Sequence, residues 1–197
     1  MANKRKRSKK NTSDRNGHFN SSNEVAHPLA GEANKTVKII ICIFLVVATF
    51  AIYSQVQDHE FLNLDDDRYI TESSLTKAGF TKENIIRLFT NTHVSLWVPT
   101  TSLSFILDYQ LYGLNPKGFL LTNLFFHIAN ALLLFMVLLR MTGTLWQSGF
   151  VAVMFALHPF NVESVAWVAE RNNVLSTFFW LLTMWAYVHY VDNPNIK

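Results

Sequence analysis

The sequence predicts an all-α membrane protein of about four transmembrane helices, with a helical extracytoplasmic loop between the first and the second. Three observations carry this. Half of the 197 residues are hydrophobic and only 16% are charged, where soluble domains carry about a quarter charged residues. The apolar residues are gathered into long blocks, the arrangement lipid selects. Lys and Arg are concentrated ahead of the first block rather than spread along the chain. The single cysteine, Cys42, lies inside that block, so no internal disulfide forms and cysteine usage gives no redox compartment.

Residues 1–36 read as a disordered basic cytoplasmic arm. Nine Lys or Arg and three acids fall within residues 1–38, and Lys4-Arg5-Lys6-Arg7-Ser8-Lys9-Lys10 is a dense basic run. Such a segment has little apolar surface to bury. A nucleic-acid arm is one reading of it. The apolar block that follows directly favours a topology signal instead, with no nucleic-acid partner and the lipid bilayer as the first partner.

The first span is placed at 37–53. Its charge-free part is 39–53, and Lys38 extends its amine to the interface. At about 1.5 Å per residue this is just long enough to cross. A cleaved signal peptide is the rival, disfavoured by the long basic leader and by the lack of a small-x-small cleavage pattern after Tyr53.

Residues 54–118 form a polar loop with eight acids and five bases. Thr81 caps a short helix running to Phe89, with Glu83 in the first turn and Ile85, Ile86 and Phe89 as its apolar face. Pro99 opens a second helix and Gly113 closes it. Leu103, Ile106, Leu107 and Leu111 give that helix one apolar side. Both helices are expected along the membrane surface or on top of the bundle.

The second span is 119–139, free of formal charge and ended by Arg140. The third is 145–157, stopped where Pro159 removes a backbone donor. A loop at 158–173 leads to the fourth span at 174–191, followed by a cytoplasmic tail at 192–197. The basic arm sets the inside, so four spans leave both termini cytoplasmic in an inner (plasma) membrane or its equivalent. The two loops 54–118 and 158–173 then share the exterior.

Three groups of residues could carry chemistry. Asp65, Asp66 and Asp67 repel one another, which raises some of their pKa values. A hard divalent cation such as Mg²⁺ or Ca²⁺ would relieve that repulsion, and one carboxylate could act as general base toward a hydroxyl. A solvated, idle acidic run is the alternative. The second group is the loop holding His158, Asn161, Glu163, Glu170, Arg171 and Asn172, bordering two spans. It is either a cleft lining or an ordinary interfacial loop with an Arg–Glu pair. The third is Asn123, His127 and Asn130, one helix face at i, i+4 and i+7, read as helix–helix hydrogen bonding rather than substrate contact. The five Trp residues fall mostly near span ends, where indoles favour the interface. A Gly-rich phosphate loop and zinc-ligand spacing are both missing, which removes the common soluble enzyme classes.

The string FALHPFNVESVAWVAERNNVLS at 155–176 resembles the N-terminal membrane region of the transmembrane and tetratricopeptide-repeat (TMTC-like) proteins and their bacterial relatives. Asp65-Asp66-Asp67-Arg68-Tyr69, Leu111-Tyr112-Gly113-Leu114-Asn115-Pro116 and Leu121-Thr122-Asn123 agree with it in order and spacing. The resemblance covers roughly residues 39–191. It implies a GT-C type glycosyltransferase membrane domain that takes a sugar from a polyprenyl-phosphate donor and transfers it to a protein or lipid acceptor on the outer face. The family's acidic motif in the first outer loop matches Asp65 and Asp66. The resemblance therefore implies Asp66 as base or metal-associated carboxylate with Asp65 beside it, and Mg²⁺ or Mn²⁺ as a cofactor on the two. Arg171 is expected to pair with the donor phosphate, and His158 and Glu163 to shape the same cleft. Relatives often carry His where this chain has Leu120 and Val98. They also continue into more spans and tetratricopeptide repeats, so a fragment, a truncated gene or a subunit completed by a separate C-terminal membrane and repeat portion is expected. A non-enzymatic membrane anchor or assembly subunit is the alternative function.

Overall fold

The structure, a computed structural model, describes residues 28–62, 65–92 and 96–192. The basic run at 4–10 and the last five residues of the expected tail lie outside them. Among the described residues the chain is helical, in the order α1 (Pro28–Tyr53), α2 (Ser74–Lys77), α3 (Lys82–Thr90), α4 (Pro99–Tyr112), α5 (Pro116–Thr142), α6 (Leu145–Leu157), α7 (Val162–Ala166) and α8 (Arg171–Asp192). A 3-10 turn at Ser54–Asp58 prolongs α1, and a single π-helical turn spans Asp67–Thr71.

Among the described residues three helices are long and apolar enough to cross a bilayer: Asn34–Asp58, Pro116–Thr142 and Arg171–Val191. A fourth crossing exists if α6 and its continuation Pro159–Ala166, bent by 49°, count as one broken span. The bend sits at His158-Pro159, where the proline nitrogen cannot continue the ladder. Asn161 Nδ2 donates to the Phe155 carbonyl at 2.6 Å, so one of the carbonyls freed at the end of α6 is still satisfied.

Each long helix outruns the span read from charge. α1 begins at Pro28, so 28–36 is helical and not part of a disordered arm. α5 extends past 119–139 at both ends, and α8 begins at Arg171 and ends at Asp192 rather than covering 174–191. The expected spans kept to uncharged stretches, with Lys38 as the one charge admitted. Lys and Arg are good helix formers, and the backbone continues through Lys35, Lys38 and Arg140 until a cap intervenes. For α5 the caps are local. Asn115 accepts a hydrogen bond from the Lys117 amide at 3.2 Å with Pro116 as first residue, and Gly143 ends the helix at φ +68°, where a residue with a Cβ would be strained.

α5 is the axis of the bundle and packs against α1, α6 and α8. The outside is apolar: Ile40, Ile43, Phe44 and Val47 of α1, Phe125 of α5 and Trp146 and Phe150 of α6 are each more than half exposed. The inside carries the polar stripe expected to join helices. Asn123 Nδ2 donates to the Trp167 carbonyl at 3.0 Å, His127 Nε2 meets the Ala156 carbonyl at 2.9 Å, and Asn130 Nδ2 donates to the Val174 carbonyl at 2.9 Å. The carbonyl partner requires the proton of His127 on Nε2. This inside-out distribution fits lipid as the surrounding solvent.

The two connecting helices form where expected. Thr81 Oγ1 accepts from the Asn84 amide at 3.2 Å to start α3, while Pro99 opens α4 and Gly113 follows its last residue. Their faces differ from the expected ones. In α3, Asn84 and Leu88 are buried while Ile86 and Phe89 are half exposed. In α4, Thr101, Ser102, Phe105, Ile106 and Asp108 are buried, and Leu107 and Leu111 face outward. Apolar side chains lie on both the buried and the exposed sides of these helices, so apolar periodicity does not mark the inner face. Gly118 sets the approach of α4 to α5, because a Cβ there would lie 2.3 Å from Tyr112 Cγ.

Candidate functional site

At the end of the bundle where α1 stops and α8 starts, three segments converge: the acidic turn 65–71, the N-terminal half of α4, and the stretch 163–173. The acidic turn is pinned from within. Asp66 is 1% exposed. Its Oδ2 accepts the Leu62 amide at 2.9 Å and its Oδ1 accepts the Ala169 amide at 2.8 Å. One carboxylate thus joins two segments 103 residues apart in sequence. Burial raises its pKa above the usual carboxylate value; the two backbone hydrogen bonds pull it back, and the neighbouring Asp67 charge adds to the rise. The buried Trp167 indole N–H lies near enough to favour the ionised form without closing a hydrogen bond of ordinary geometry. Asp67 turns aside and accepts from Thr71 Oγ1 at 2.8 Å.

Asp65 faces the other way. It lines a cleft of about 160 Å³ with Tyr69, Thr101, Glu170, Asn172 and Asn173. Burial raises the Glu170 pKa, and the charges of Glu163 and Asp65 raise it further. Tyr69 is raised by burial and then by the same Asp65 and Glu170 charges. Glu170 also accepts a hydrogen bond from Asn173 Nδ2. The cleft therefore presents carboxylate acceptors beside amide and hydroxyl groups, a lining suited to a polyhydroxylated ligand.

Arg171, between the lining residues Glu170 and Asn172, does not itself line the cleft. The side chain is fully buried. Its Nη1 donates to Asp108 Oδ2 at 2.5 Å, Nη2 to the Phe119 carbonyl at 2.6 Å, and Nε to Asn123 Oδ1 at 2.7 Å. The guanidinium lies over the Phe105 ring at 4.9 Å. Thr122 Oγ1 donates to the other Asp108 oxygen at 3.0 Å. Burial raises the Asp108 pKa and the Arg171 charge works against that rise. This tie joins α4, α5 and α8. Two of the lining residues are bonded to each other, Thr101 Oγ1 donating to Asn172 Oδ1 at 3.4 Å.

The expected site residues therefore separate. Asp65 reaches the cleft; Asp66 and Arg171 stand behind its walls, bonded to protein groups. Glu163 is exposed and lines a second, larger cleft of about 680 Å³ with His59, Glu60, Phe61 and Trp167. His158 joins neither lining. Its Nδ1 accepts from the Phe160 amide at 3.3 Å and its ring stacks on Phe160, so it caps the turn after α6. Thr101 and Asp108 are not among the candidate residues that the sequence offers, Tyr69 enters there only as part of the Asp65–Tyr69 motif, and Trp167 only as an interfacial indole. A signal for Asp108 did exist: it is the sole acid between Glu83 and Glu163, set in an otherwise uncharged helix.

Asp65 and Asp66 were expected to hold a divalent cation. Among the described residues no three His, Cys, Asp or Glu side chains converge as metal ligands, and both Asp66 oxygens already accept amides. The described residues do not by themselves make a metal site.

The chain is similar to protein O-mannosyl-transferase TMTC2 of Mus musculus, with 32% identity over 90 residues, 46% of this chain and 11% of that protein. It is similar to TMTC3 of the same species at 35% over 89 residues, 45% and 10% of the two chains. Against TMTC4 of Homo sapiens it is 30% identical over 115 residues, 51% and 16%. The match thus spans between a tenth and a sixth of the length of these curated relatives. No family model matches the chain, and no solved structure does. Apolar helices and partial homology to these transferases together describe a membrane protein related in part to protein O-mannosyl-transferases.

Proposed function

We propose that this chain is the N-terminal part of a GT-C type membrane glycosyltransferase moving a sugar, mannose by analogy with its relatives, from a polyprenyl-phosphate donor to an acceptor hydroxyl. The observation that supports this best is the division of labour in the acidic turn. Asp65 opens into a polar cleft, and Asp66 clamps the wall behind it through two backbone amides. In this reading the acceptor hydroxyl oxygen attacks the anomeric carbon of the sugar. The bond from that carbon to the phosphate oxygen breaks, polyprenyl phosphate leaves, and the hydroxyl proton passes to the Asp65 carboxylate. Glu170, Asn172 and Asn173 orient hydroxyls of sugar or acceptor. Asp66 and Arg171 act through the groups they hold. The basic arm is placed in the cytoplasm and the cleft outside, by the Lys/Arg bias.

The test is transfer from labelled polyprenyl-phosphate mannose in membranes carrying the protein. Asp65→Asn is expected to lower transfer about 100-fold or more, the ordinary worth of a positioned general base. Transfer at the unaltered rate removes Asp65 from the mechanism.

A non-enzymatic anchor or assembly subunit is favoured by one observation. Two of the charged groups expected at the site, Asp66 and Arg171, are turned inward as structural ties. Failure of the unaltered protein to transfer any sugar, with the fold intact, would select that reading.

A further inference from the structure

The far end of the bundle holds a second polar cavity. α1 begins there, α5 ends there, and α6 and α8 border it. Its volume is about 460 Å³ and its lining is Asn34 and Lys38 of α1, Leu139 and Arg140 of α5, Leu145 of α6 and Trp185 of α8, with Met136 and Gly143 beside them. Arg140 lies seventeen residues beyond Asn123 on one continuous helix, which puts this cavity about 25 Å from the acidic cleft. The two sites therefore lie near opposite faces of a hydrocarbon layer about 30 Å thick.

The lining has a definite chemical sense. Two cations and an amide face the cavity, and no acidic side chain lines it among the described residues. The Arg140 guanidinium is held over the Trp185 ring, 5.6 Å from its centroid, so its position is set by packing as well as by charge. A guanidinium has five N–H donors, enough to keep its present contacts and still meet a phosphate. Beside the cations the lining is apolar, through Met136, Leu139 and Leu145. Trp185 sits at the boundary, where indoles concentrate in membrane proteins. A phosphate at the mouth with hydrocarbon running down the wall satisfies both halves of this lining. A soluble anion satisfies only the first.

We infer that this cavity is a binding site for an anionic phospholipid, its phosphate between Lys38 and Arg140 and its acyl chains along Met136, Leu139 and Leu145. Basic pockets between membrane helices recognise lipid headgroups by this combination of charge and depth. Occupancy would fix the tilt of α1 and α5 relative to the surface at the end remote from the cleft.

The test uses the full chain in detergent, titrated with phosphatidylglycerol or with phosphatidylcholine of the same acyl chains and observed by native mass spectrometry. Phosphatidylglycerol is expected to be retained on the order of tenfold better, the effect of one to two interfacial cations. The double variant Lys38→Gln/Arg140→Gln is expected to bring retention down to the phosphatidylcholine level. A variant with Lys4, Lys6, Lys9 and Lys10 changed to Gln is expected to keep the preference, which separates the cavity from general attraction by the basic arm. If the double variant does not fold, Lys38→Gln alone, on the exposed surface of α1, decides with a smaller loss. Equal retention of the two lipids overturns the proposal. So does a preference that survives removal of the cavity cations, one that vanishes with the arm charges, or displacement of the lipid by millimolar inorganic phosphate.

Discussion

Arg171 Nη1 lies 2.5 Å from Asp108 Oδ2, with both side chains buried and the two residues 63 positions apart in sequence. The pair fastens α4, which belongs to the connecting segment, to the start of α8, which belongs to the bundle. Removing one partner of such a pair strands a buried charge, a loss of about 3–5 kcal/mol. Asp108→Ala is therefore expected to lower the unfolding midpoint sharply in detergent. Arg171→Lys should do nearly as much harm, because an ammonium cannot reach Asp108, Asn123 and the Phe119 carbonyl in one plane. Asp108→Leu with Arg171→Met should recover most of the loss, since neither charge then remains. Circular dichroism melts of the four proteins check this; single variants as stable as the parent would refute the buried-tie reading.

Asp66 poses a different question, since its oxygens satisfy two backbone amides rather than a cation. Asp66→Ala leaves the Leu62 and Ala169 N–H groups without acceptors in a buried wall. Each hydrogen bond to a charged group is worth about 1.5–3 kcal/mol, so the segments around 62 and 169 should separate locally before the bundle unfolds. Hydrogen exchange is expected to accelerate at the Leu62 and Ala169 amides while that of α5 stays unchanged. Uniform acceleration along the chain, or none at these two amides, would show that the carboxylate is not the clamp.

Much of this arrangement could be read locally. The Thr81 cap, Pro99 at the start of α4, Gly113 after it and the break at Pro159 all depend on neighbours within a few positions, and the structure agrees with each. The stripe of Asn123, His127 and Asn130 was legible because helical period alone puts the three on one face. The burial of α4 was not legible. Its outward Leu107 and Leu111 are as apolar as its inward Phe105 and Ile106, so composition no longer separates the sides. Which of Asp65 and Asp66 meets the cleft depends on one position of register just before the π-helical turn, and residue type cannot decide that. The Arg171 partner was hidden for another reason. The expectation of a phosphate contact follows from the family resemblance and the guanidinium of Arg171, while nothing in the sequence pairs the lone acid of α4 with a residue 63 positions on.

The carboxylates around the cleft predict a pH dependence. Burial, then Glu163, then Asp65 hold the Glu170 pKa above its ordinary 4.5. Between 4.5 and that raised value the folded chain holds a proton that the unfolded chain has lost. Its contribution to stability is thus full below 4.5 and declines as pH rises through the raised value. Glu163→Gln removes a like charge and should lower the Glu170 titration; Asp65→Asn should lower it less, following the order of causes. Carboxyl carbon shifts of labelled Glu170, recorded against pH in the three proteins, test this. An upward movement in either variant contradicts the assigned cluster.

The polar stripe of α5 should be uneven in its importance. Asn130 donates to the Val174 carbonyl, but its own buried oxygen has no partner. Asn130→Leu loses one hydrogen bond and also removes an unsatisfied acceptor, so its net cost should be small. His127→Leu loses the bond to the Ala156 carbonyl and the edge contact with Tyr53. Asn123→Leu loses the bond to the Trp167 carbonyl and also leaves the Arg171 Nε–H without its acceptor. A hydrogen bond between membrane helices averages about 0.6 kcal/mol with a maximum near 1.7, and an orphaned charged donor adds more. The expected order of destabilisation is Asn123→Leu, then His127→Leu, then Asn130→Leu, with the first exceeding the last by about 2 kcal/mol. Equilibrium unfolding in mixed micelles measures the series. An Asn130→Leu protein as weakened as Asn123→Leu would mean that the stripe acts as uniform glue and that Asn123 contributes nothing through Arg171.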